Sequence, residues 1–494
     1  MAKRLIIAAV LVSALTAGVL GQTPSAFDND FLDKALRVEL FLVGDAKDEF
    51  ITIHHIYQEG IWPESRIRLL DPFNNGRYTV KLYDVATNRL IYSRGFDTMF
   101  GEYRTTAPAI NGTKRVYPRS VRVPCPVRPA LFVIESRDKK NLSHPLFSET
   151  IDPADYHLIR ETSVAGDDIY EARRSGDPHD MVDLVFIAEG YTAADKDKFK
   201  ADVDRFSGYL FGVEPYKGRQ DLFNIRGVFR PSAERGMDEP RQRIFKKTGL
   251  GASFNAFDLD RYMLIEDGHL LREMAAQVPY DAIVVLVNST RYGGGGIYND
   301  YCVTTVDNAA SKGVFIHEFG HSFAGLADEY YTSNVSYNDF YPKGVEPLEP
   351  NITALLDPAR VKWQDLLSPG LSVPTDWGKD KIEALQVELQ QSRQAKKEAF
   401  DLAKTKKLPQ AQVKKLEEKY KAADKAILKR IEDVRKSYAF LDEKVGVFEG
   451  AGYAAKGLYR PMVYCLMIYN PKDEFCLVCR RAISRMIDYY VQGQ

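Results

Sequence analysis

Two histidines and a glutamate in a His-Glu-x-x-His motif have the residue types and spacing of a metal-dependent hydrolase site. His317 and His321 are four residues apart, so on a helix they share one face at roughly 6 Å, and both imidazoles can reach one metal ion. Glu318 follows His317 directly and can direct its carboxylate at a water molecule on that metal. The motif therefore predicts a metal centre with Glu318 as general base.

The residues around this motif indicate a buried helix that ends shortly after the second histidine. Apolar residues 314–316 lead into the motif, and Gly325 can end the helix in a left-handed turn. Asp328 and Glu329 follow this turn, where either carboxylate can supply the third protein ligand of a catalytic zinc ion. The competing interpretation is two core histidines on an ordinary amphipathic helix. The chain has only eight histidines, so its composition does not explain their spacing.

Four stretches, in order along the chain, carry a resemblance to a known family. They are VDLVFIAEGY at 182–191, DAIVVLVNSTRYGGGGIYNDYCVTT at 281–305, HEFGHSFAGLADEY at 317–330, and the segment 459–479. These stretches resemble the bacterial secreted IgA-peptidase family, a group of zinc metallopeptidases in the zincin class. The resemblance covers residues 180–340 and 445–485 well, and the N-terminal portion loosely.

The resemblance implies a Zn²⁺ cofactor and a set of residues that holds it. The implied metal ligands are His317, His321 and Asp328, because zincins with a Met-turn place a glycine and then a histidine or aspartate after the motif. Here the glycine and the acid both come one residue later than in that pattern, so Glu329 stays the alternative third ligand. Met467 is the implied methionine beneath the metal, and its alternative role is core packing.

The four consecutive glycines at 293–296 point to substrate contact. A phosphate-binding loop is excluded, because no helix with Lys and Ser or Thr follows them. We predict exposed backbone beside a strand over 297–305, against which a substrate peptide pairs; a flexible loop is the plain alternative. The candidate substrate-binding residues are Gly294, Gly295 and Tyr298. Candidate oxyanion donors, which the sequence does not rank, are Tyr298, Tyr330 and Tyr464.

Composition and the N-terminus predict an exported globular protein. The 67 basic and 68 acidic residues nearly cancel, so nothing favours nucleic acid or an anionic membrane as partner. Lys3 and Arg4 precede an apolar stretch, the pattern of a signal peptide over 1–21, with cleavage before Gln22 or after Ala17. We expect a secreted or periplasmic monomer with no membrane anchor, acting on a protein or peptide substrate.

The order of strand-like and helix-like segments predicts an α+β fold. Short alternating runs separated by turns over 25–155 indicate an N-terminal β-sandwich domain. Residues 160–494 form the predicted zincin-like α/β metallopeptidase domain. Residues 379–439 are rich in Lys, Glu, Gln and Ala, and their three-four apolar spacing indicates an inserted helical hairpin. His54 and His55 are adjacent in a predicted strand, so they should point to opposite faces.

The five cysteines are Cys125, Cys302, Cys465, Cys476 and Cys479. Export permits disulfides, and the clustering of the last three predicts a structural disulfide among them. A second zinc site would need a fourth ligand that the sequence does not identify. A thioredoxin-like role would need a βαβ unit around the Cys-x-x-Cys pair.

These patterns lead to the hypothesis of a secreted zinc-dependent endopeptidase that uses zinc-activated water. The family name implies immunoglobulin A, but the motif implies only hydrolysis of peptide bonds, so the substrate is an immunoglobulin or another extracellular protein. The alternative is an exported protein that binds a glycan or a protein and carries a non-catalytic zincin domain. A third interpretation is a non-peptidase zinc hydrolase such as a deacetylase.

Overall fold

The structure is a computed structural model that describes residues 27–160, 167–265, 267–331, 340–468 and 473–491. The predicted signal peptide, residues 1–21, lies outside these ranges. Within them, no helix combines the length and the apolar character needed to cross a bilayer.

The N-terminal region is built from two four-stranded sheets. Its elements are α1 (Phe27–Asp30), β1 (Phe31–Gly44), β2 (Glu49–Gln58), β3 (Tyr78–Asp84), β4 (Leu90–Phe96), α2 (Met99–Tyr103), α3 (Ala107–Ile110), β5 (Arg115–Pro126), β6 (Ala130–Arg137), β7 (Ser143–Ile151) and β8 (Ile159–Arg160). The strand orders are β5-β1-β2-β8 and β4-β3-β6-β7. Every second residue of β3 is buried, so Tyr78, Val80 and Leu82 join Leu36 and Val38 of β1 in one core.

The prediction that His54 and His55 point to opposite faces of a strand is wrong, because a β-bulge lies at this point. Val38 pairs with Ile56 but Leu40 pairs with Ile53, so β2 carries one extra residue at this point. The bulge breaks the alternation of side chains, and the rings of His54 and His55 lie 3.9 Å apart between centroids instead of on opposite faces.

A six-stranded sheet forms the centre of the second region. Its elements are β9 (Asp168–Arg173), β10 (Val182–Glu189), α4 (Lys196–Leu210), β11 (Phe223–Phe229), β12 (Ala252–Ser253), β13 (Leu264–Ile265), α5 (Gly268–Ala275), β14 (Ala282–Val287), β15 (Gly294–Ile297), β16 (Tyr301–Thr305) and α6 (Ser311–Ala324). The strand order is β15-β16-β14-β10-β11-β9. The four inner strands are parallel, and the two edge strands run antiparallel to their neighbours. The strand predicted over 297–305 is thus two strands joined by a turn.

Both faces of this sheet are covered, which explains why every residue of β10 is buried. Leu184 and Phe186 face the layer that contains α4 and α6. Val185 and Ile187 face α5 and the N-terminal sheets, so the core is continuous between the two regions. The parallel sheet therefore forms the layer on which α6 packs.

The remaining elements follow α6 in the chain. They are α7 (Lys379–Thr405), α8 (Gln410–Ser437), β17 (Phe448–Ala451), β18 (Ala454–Arg460) and α9 (Leu477–Tyr490). Arg430 pairs with Glu388, and Ser392 donates to Asp424, so α7 and α8 run antiparallel side by side. The protein is a mixed α/β structure with several sheets, as the predicted α+β class requires.

Candidate metal centre

Helix α6 places the two histidines of the motif on one face and ends where the sequence predicts. Gly325 adopts a left-handed conformation with φ 61°. Its N–H donates to the carbonyl of His321 at 3.0 Å, and the next N–H, of Leu326, donates to Gly320 at 3.3 Å. These two bonds satisfy carbonyls that the helix end leaves free, and they turn the chain back towards the histidines.

Three ligand atoms converge at this turn. The Nε2 atoms of His317 and His321 are 3.1 Å apart, and Oδ1 of Asp328 lies 3.0 Å from the first and 3.4 Å from the second. Tetrahedral ligands at zinc bond lengths of about 2.0–2.2 Å lie about 3.3–3.5 Å from one another. The spacing of the three atoms therefore fits one small divalent cation.

Backbone carbonyls hold both imidazoles with Nε2 pointing inwards. His317 donates from Nδ1 to the carbonyl of Leu466 at 2.9 Å, and His321 donates from Nδ1 to the carbonyl of Leu326 at 2.6 Å. A hydrogen bond from the second ring nitrogen fixes the tautomer and orientation that a metal-binding histidine needs.

The carboxylate of Asp328 is also oriented from behind. The residue is buried, and no described residue is aligned to donate a hydrogen bond to its Oδ1, which faces the histidines. Its Oδ2 accepts a hydrogen bond from the hydroxyl of Tyr453. A buried carboxylate oxygen aimed at two imidazole nitrogens is the environment expected of a metal ligand, so the residues fit Zn²⁺.

The charges of the cluster are strongly coupled. Burial disfavours charged His321, but the Asp328 carboxylate outweighs burial and raises the pKa of His321 to about 9. Burial likewise works against ionised Asp328, but His321 and His317 hold the pKa of its carboxyl well below the usual range. For Glu318, burial raises the pKa, so its carboxyl binds a proton more readily than an exposed glutamate.

Gly320 and Met467 meet beneath this centre. A side-chain carbon added at Gly320 would lie 3.0 Å from the sulfur of Met467, so the methionine packs directly under α6. Met467 lies in a turn in which Ile468 N–H donates to the carbonyl of Cys465 at 3.0 Å, and its own carbonyl accepts from Glu329 at 2.8 Å.

The two candidate third ligands lie in different places. Asp328 lies with the histidines, whereas the carboxylate of Glu329 lies among Cys465, Cys476 and Cys479.

The predicted disulfide is absent, because all five cysteines are free thiols. The sulfurs of Cys465 and Cys479 are 3.7 Å apart, beyond the bond length of about 2.05 Å.

A cleft of about 1530 Å³ opens at the histidines. Its walls come from the N-terminal region, from α6 and β15, and from the base of the α7–α8 pair, through residues such as Arg77, Glu318, Gly296, Trp377 and Tyr438. This volume exceeds the range of about 300–1,000 Å³ that is typical of small-molecule sites, so the cleft has room for a segment of polypeptide chain.

The predicted substrate-binding residues differ in their positions. Gly294 lines the cleft, but its carbonyl accepts from Met263 N–H at 3.3 Å. Gly295 packs against Met263, whose carbonyl oxygen would lie 2.5 Å from an added side-chain carbon. Tyr298 borders the cleft with its ring against Gly325, but its hydroxyl is buried.

Two tyrosines lie beside Asp328: Tyr330, a candidate oxyanion donor, and Tyr453, which the sequence analysis did not identify. Tyr453 lies 125 residues beyond Asp328 in the chain, and its ring contacts that of Tyr330 at 5.4 Å. Nothing in the local sequence marks Tyr453, because its role follows from the pairing of β17 with β18. Tyr330 and Tyr464 both line the cleft, as a donor to a substrate oxygen must.

Comparison with known families agrees with this geometry. A family model described as IgA Peptidase M64 matches residues 170–487, and a second, described as Peptidase M64 N-terminus, matches residues 26–148. A search of curated proteins finds no matching relative. The first match alone spans more than half of the sequence and includes the whole histidine centre. This chain therefore belongs to the IgA peptidase M64 family, and that membership implies a peptidase.

Proposed function

We propose that this protein is an exported zinc-dependent endopeptidase with a zincin-like catalytic domain. The observation that carries the proposal is the convergence of two imidazole nitrogens and one carboxylate oxygen within 3.4 Å, with a glutamate on the same helix and an open cleft above. We assign the metal-holding role to His317, His321 and Asp328. Zn²⁺ bound there would supply a Lewis acid and lower the pKa of a water molecule towards about 7.

Glu318 moves the proton in the proposed reaction. Its burial raises its pKa, which suits a group that accepts a proton from the attacking water and returns it to the departing amine nitrogen. Gly294 makes room for this side chain, because an added carbon there would lie 3.0 Å from Cγ of Glu318. The packing of β15 against α6 thus sets the position of the general base.

A tyrosine hydroxyl from the cleft wall would stabilise the oxyanion. Burial of its hydroxyl makes Tyr298 the least suited of the three candidates. Tyr330 lines the cleft, and its ring lies against that of Tyr453, which donates to Asp328, so its hydroxyl is near the proposed metal. We therefore assign this role to Tyr330, with Tyr464 as the alternative.

We further propose that a substrate chain pairs with the outer edge of β15 at Gly296. The bond from Met263 shows that the carbonyl of Gly294 points to that edge, and the two-residue period of a strand gives Gly296 the same direction. Gly296 also lines the cleft. Backbone pairing would make the enzyme tolerant of substrate sequence, so an unfolded protein or an exposed immunoglobulin hinge is the expected substrate class.

The test compares Glu318→Gln with wild type on unfolded casein, on immunoglobulin A and on a peptide library. We expect activity to fall by at least about 100-fold while zinc content stays unchanged, because the base is lost but no ligand is. Glu388→Gln, on the exposed side of α7, is the matched control and should retain wild-type activity. Wild-type rates in Glu318→Gln would refute the proposal, and a zinc-loaded wild type without peptidase activity would favour the non-catalytic alternative.

A further inference from the structure

Four buried side chains that the peptidase mechanism does not use converge behind the histidine centre. They belong to Glu329, Cys465, Cys476 and Cys479, and one ligand atom from each lies within 4.8 Å of all the others. We propose that this protein carries a second metal site, a closed structural Zn²⁺ site made by three cysteine thiolates and the Glu329 carboxylate.

The distances within this cluster fit tetrahedral zinc. The sulfurs of Cys465 and Cys479 are 3.7 Å apart. Oε1 of Glu329 lies 3.2 Å from the sulfur of Cys479 and 3.7 Å from that of Cys476. With Zn–S bonds of about 2.3 Å and a Zn–O bond of about 2.0 Å, tetrahedral geometry places sulfurs about 3.8 Å apart and sulfur and oxygen about 3.5 Å apart.

The carboxylate of Glu329 is the observation that calls for a cation. The residue is 0% exposed, and no described residue donates a hydrogen bond to its Oε2. Asn351 donates to Oε1 at 3.0 Å, which orients the group without neutralising it. A buried carboxylate among three sulfurs is costly unless a positive charge lies between them, and thiolate ligands select zinc among the common divalent ions.

The backbone around the cysteines is arranged for thiolates. Cys476 caps the N-terminus of α9, and its sulfur accepts the N–H of Cys479 at 3.4 Å. The sulfur of Cys465 accepts the N–H of Cys476 at 3.3 Å. Amide donors and the positive end of a helix dipole both favour the ionised sulfur.

A disulfide explains the cluster less well than a metal does. A bond between Cys465 and Cys479 would leave Cys476 as a lone thiol beside a buried carboxylate, and it would give no role to Glu329. Cys-x-x-Cys at a helix start, with a third cysteine from a neighbouring turn, is instead the spacing of a structural zinc site. The fourth ligand that the sequence did not identify is thus the carboxylate next to Asp328.

The position of this cluster suggests its purpose. Glu329 follows Asp328, and Cys465 precedes Leu466, whose carbonyl orients His317. A metal that ties Glu329 to Cys465 would therefore fix the third catalytic ligand and the histidine support with one set of bonds. The second site would be a scaffold for the first, with no open position for substrate.

The experiment measures metal content in the full exported chain, purified from zinc-supplemented cells. We expect about two zinc ions per wild-type chain and about one in His317→Ala/His321→Ala, which lacks the catalytic ligands. Replacing the remaining zinc by Co²⁺ in that double variant should give thiolate-to-cobalt charge-transfer absorption. Peptidase activity is not a readout, so the result does not depend on the proposed reaction.

Cysteine variants supply the complementary arm. Adding Cys479→Ser to the histidine double variant should abolish the cobalt band, whereas adding Cys125→Ser, a buried cysteine of the N-terminal region, should leave it intact. If the Cys479 variant does not fold, the spectrum of the double variant still decides. A double variant without zinc and without the cobalt band, or a Cys465–Cys479 disulfide found by peptide mapping, would overturn the proposal.

Discussion

At the residue scale, the carboxylates of the consecutive residues Asp328 and Glu329 lie in different environments. One faces two imidazoles at the floor of an open cleft, and the other is enclosed among three sulfurs. Neighbouring residues in an extended segment point in opposite directions, so a single stretch of chain reaches both clusters. In the two sites that we propose, Asp328 and Glu329 would therefore each serve a different metal ion.

Tyr453→Phe tests how Asp328 is oriented. The change removes the hydroxyl that donates to Oδ2 and leaves the ring in place against Tyr330. We expect zinc affinity or peptidase activity to fall by about 10–100-fold, the usual cost of losing a partner of a metal ligand. Zinc competition with a chromophoric chelator and initial rates on one peptide measure the two quantities.

Tyr156→Phe is the control for this change, because Tyr156 is 85% exposed and its hydroxyl lies in the N-terminal region. That variant should bind zinc and cleave peptide as wild type does. Equal zinc affinity in Tyr453→Phe and wild type would show that Asp328 needs no support from this hydroxyl.

The sequence predicted the histidine pair because helix geometry alone brings residues four apart together. The resemblance favoured Asp328 but left Glu329 as the alternative, because the path of the chain after Gly325 depends on contacts with Asn351 and Met467 far along the sequence. The sequence did contain the members of the second cluster, namely three cysteines and a glutamate that the histidine site does not need. Only the fold shows that Glu329 is the group that joins them.

At the scale of elements, the close packing of β15 on α6 decides where Glu318 lies. A side-chain carbon at Gly296 would lie 2.2 Å from the carbonyl oxygen of Glu318, a distance that forces strand or helix to move. The sequence predicted exposed glycine backbone beside a strand over 297–305. The glycines instead form β15 at the sheet edge, where Gly294 and Gly295 are buried. The sequence did not reveal that glycines are needed on the side of β15 that faces α6, because the contact between β15 and α6 joins two separate segments of the chain.

Gly296→Ala should reduce both stability and peptidase activity. The strand must move away from α6, which disturbs Glu318 and the proposed substrate edge together. Thermal unfolding and kcat/KM on a short peptide measure the two effects, and we expect a destabilisation of about 1–3 kcal/mol, as for other overpacked sites.

Gly313→Ala in the first turn of the same helix is the matched control. An added carbon there meets nothing within 4 Å, and alanine is better than glycine in a helix by up to about 1 kcal/mol. That variant should be unchanged or more stable. A Gly296→Ala enzyme as stable and as active as Gly313→Ala would show that the packing between β15 and α6 is not tight.

At the scale of the whole molecule, buried charges join the N-terminal sheets to the central sheet. Arg119 of β5 pairs with Asp300 at 2.5 Å, and Arg272 of α5 pairs with the same carboxylate at 3.1 Å. Asp300 lies in the turn between β15 and β16, so this network connects the N-terminal region to the edge of the cleft. The composition and strand patterns indicated two regions but not the shared core or these bonds between them.

Asp300→Ala should therefore destabilise the whole chain. Two buried arginines lose their common partner, and breaking a buried ion pair on one side costs about 3–5 kcal/mol. Urea unfolding followed by fluorescence measures the change. Asp48→Ala removes the partner of Lys114 in a pair with both side chains about half exposed, and it should leave the unfolding midpoint unchanged. Equal midpoints for the two variants would contradict a role for Asp300 in joining the regions.

The turn after α6 sets a strict count of residues. Glu329 is the fourth residue after Gly325, and the histidines lie on one side of this short connection while the sulfurs lie on the other. Removing one residue here would rotate every following side chain to the opposite direction, and a glutamate would meet the imidazoles while a tyrosine met the thiols. Loop length at this point is consequently as constrained as residue identity, and natural variation in the number of residues should be confined to other connections.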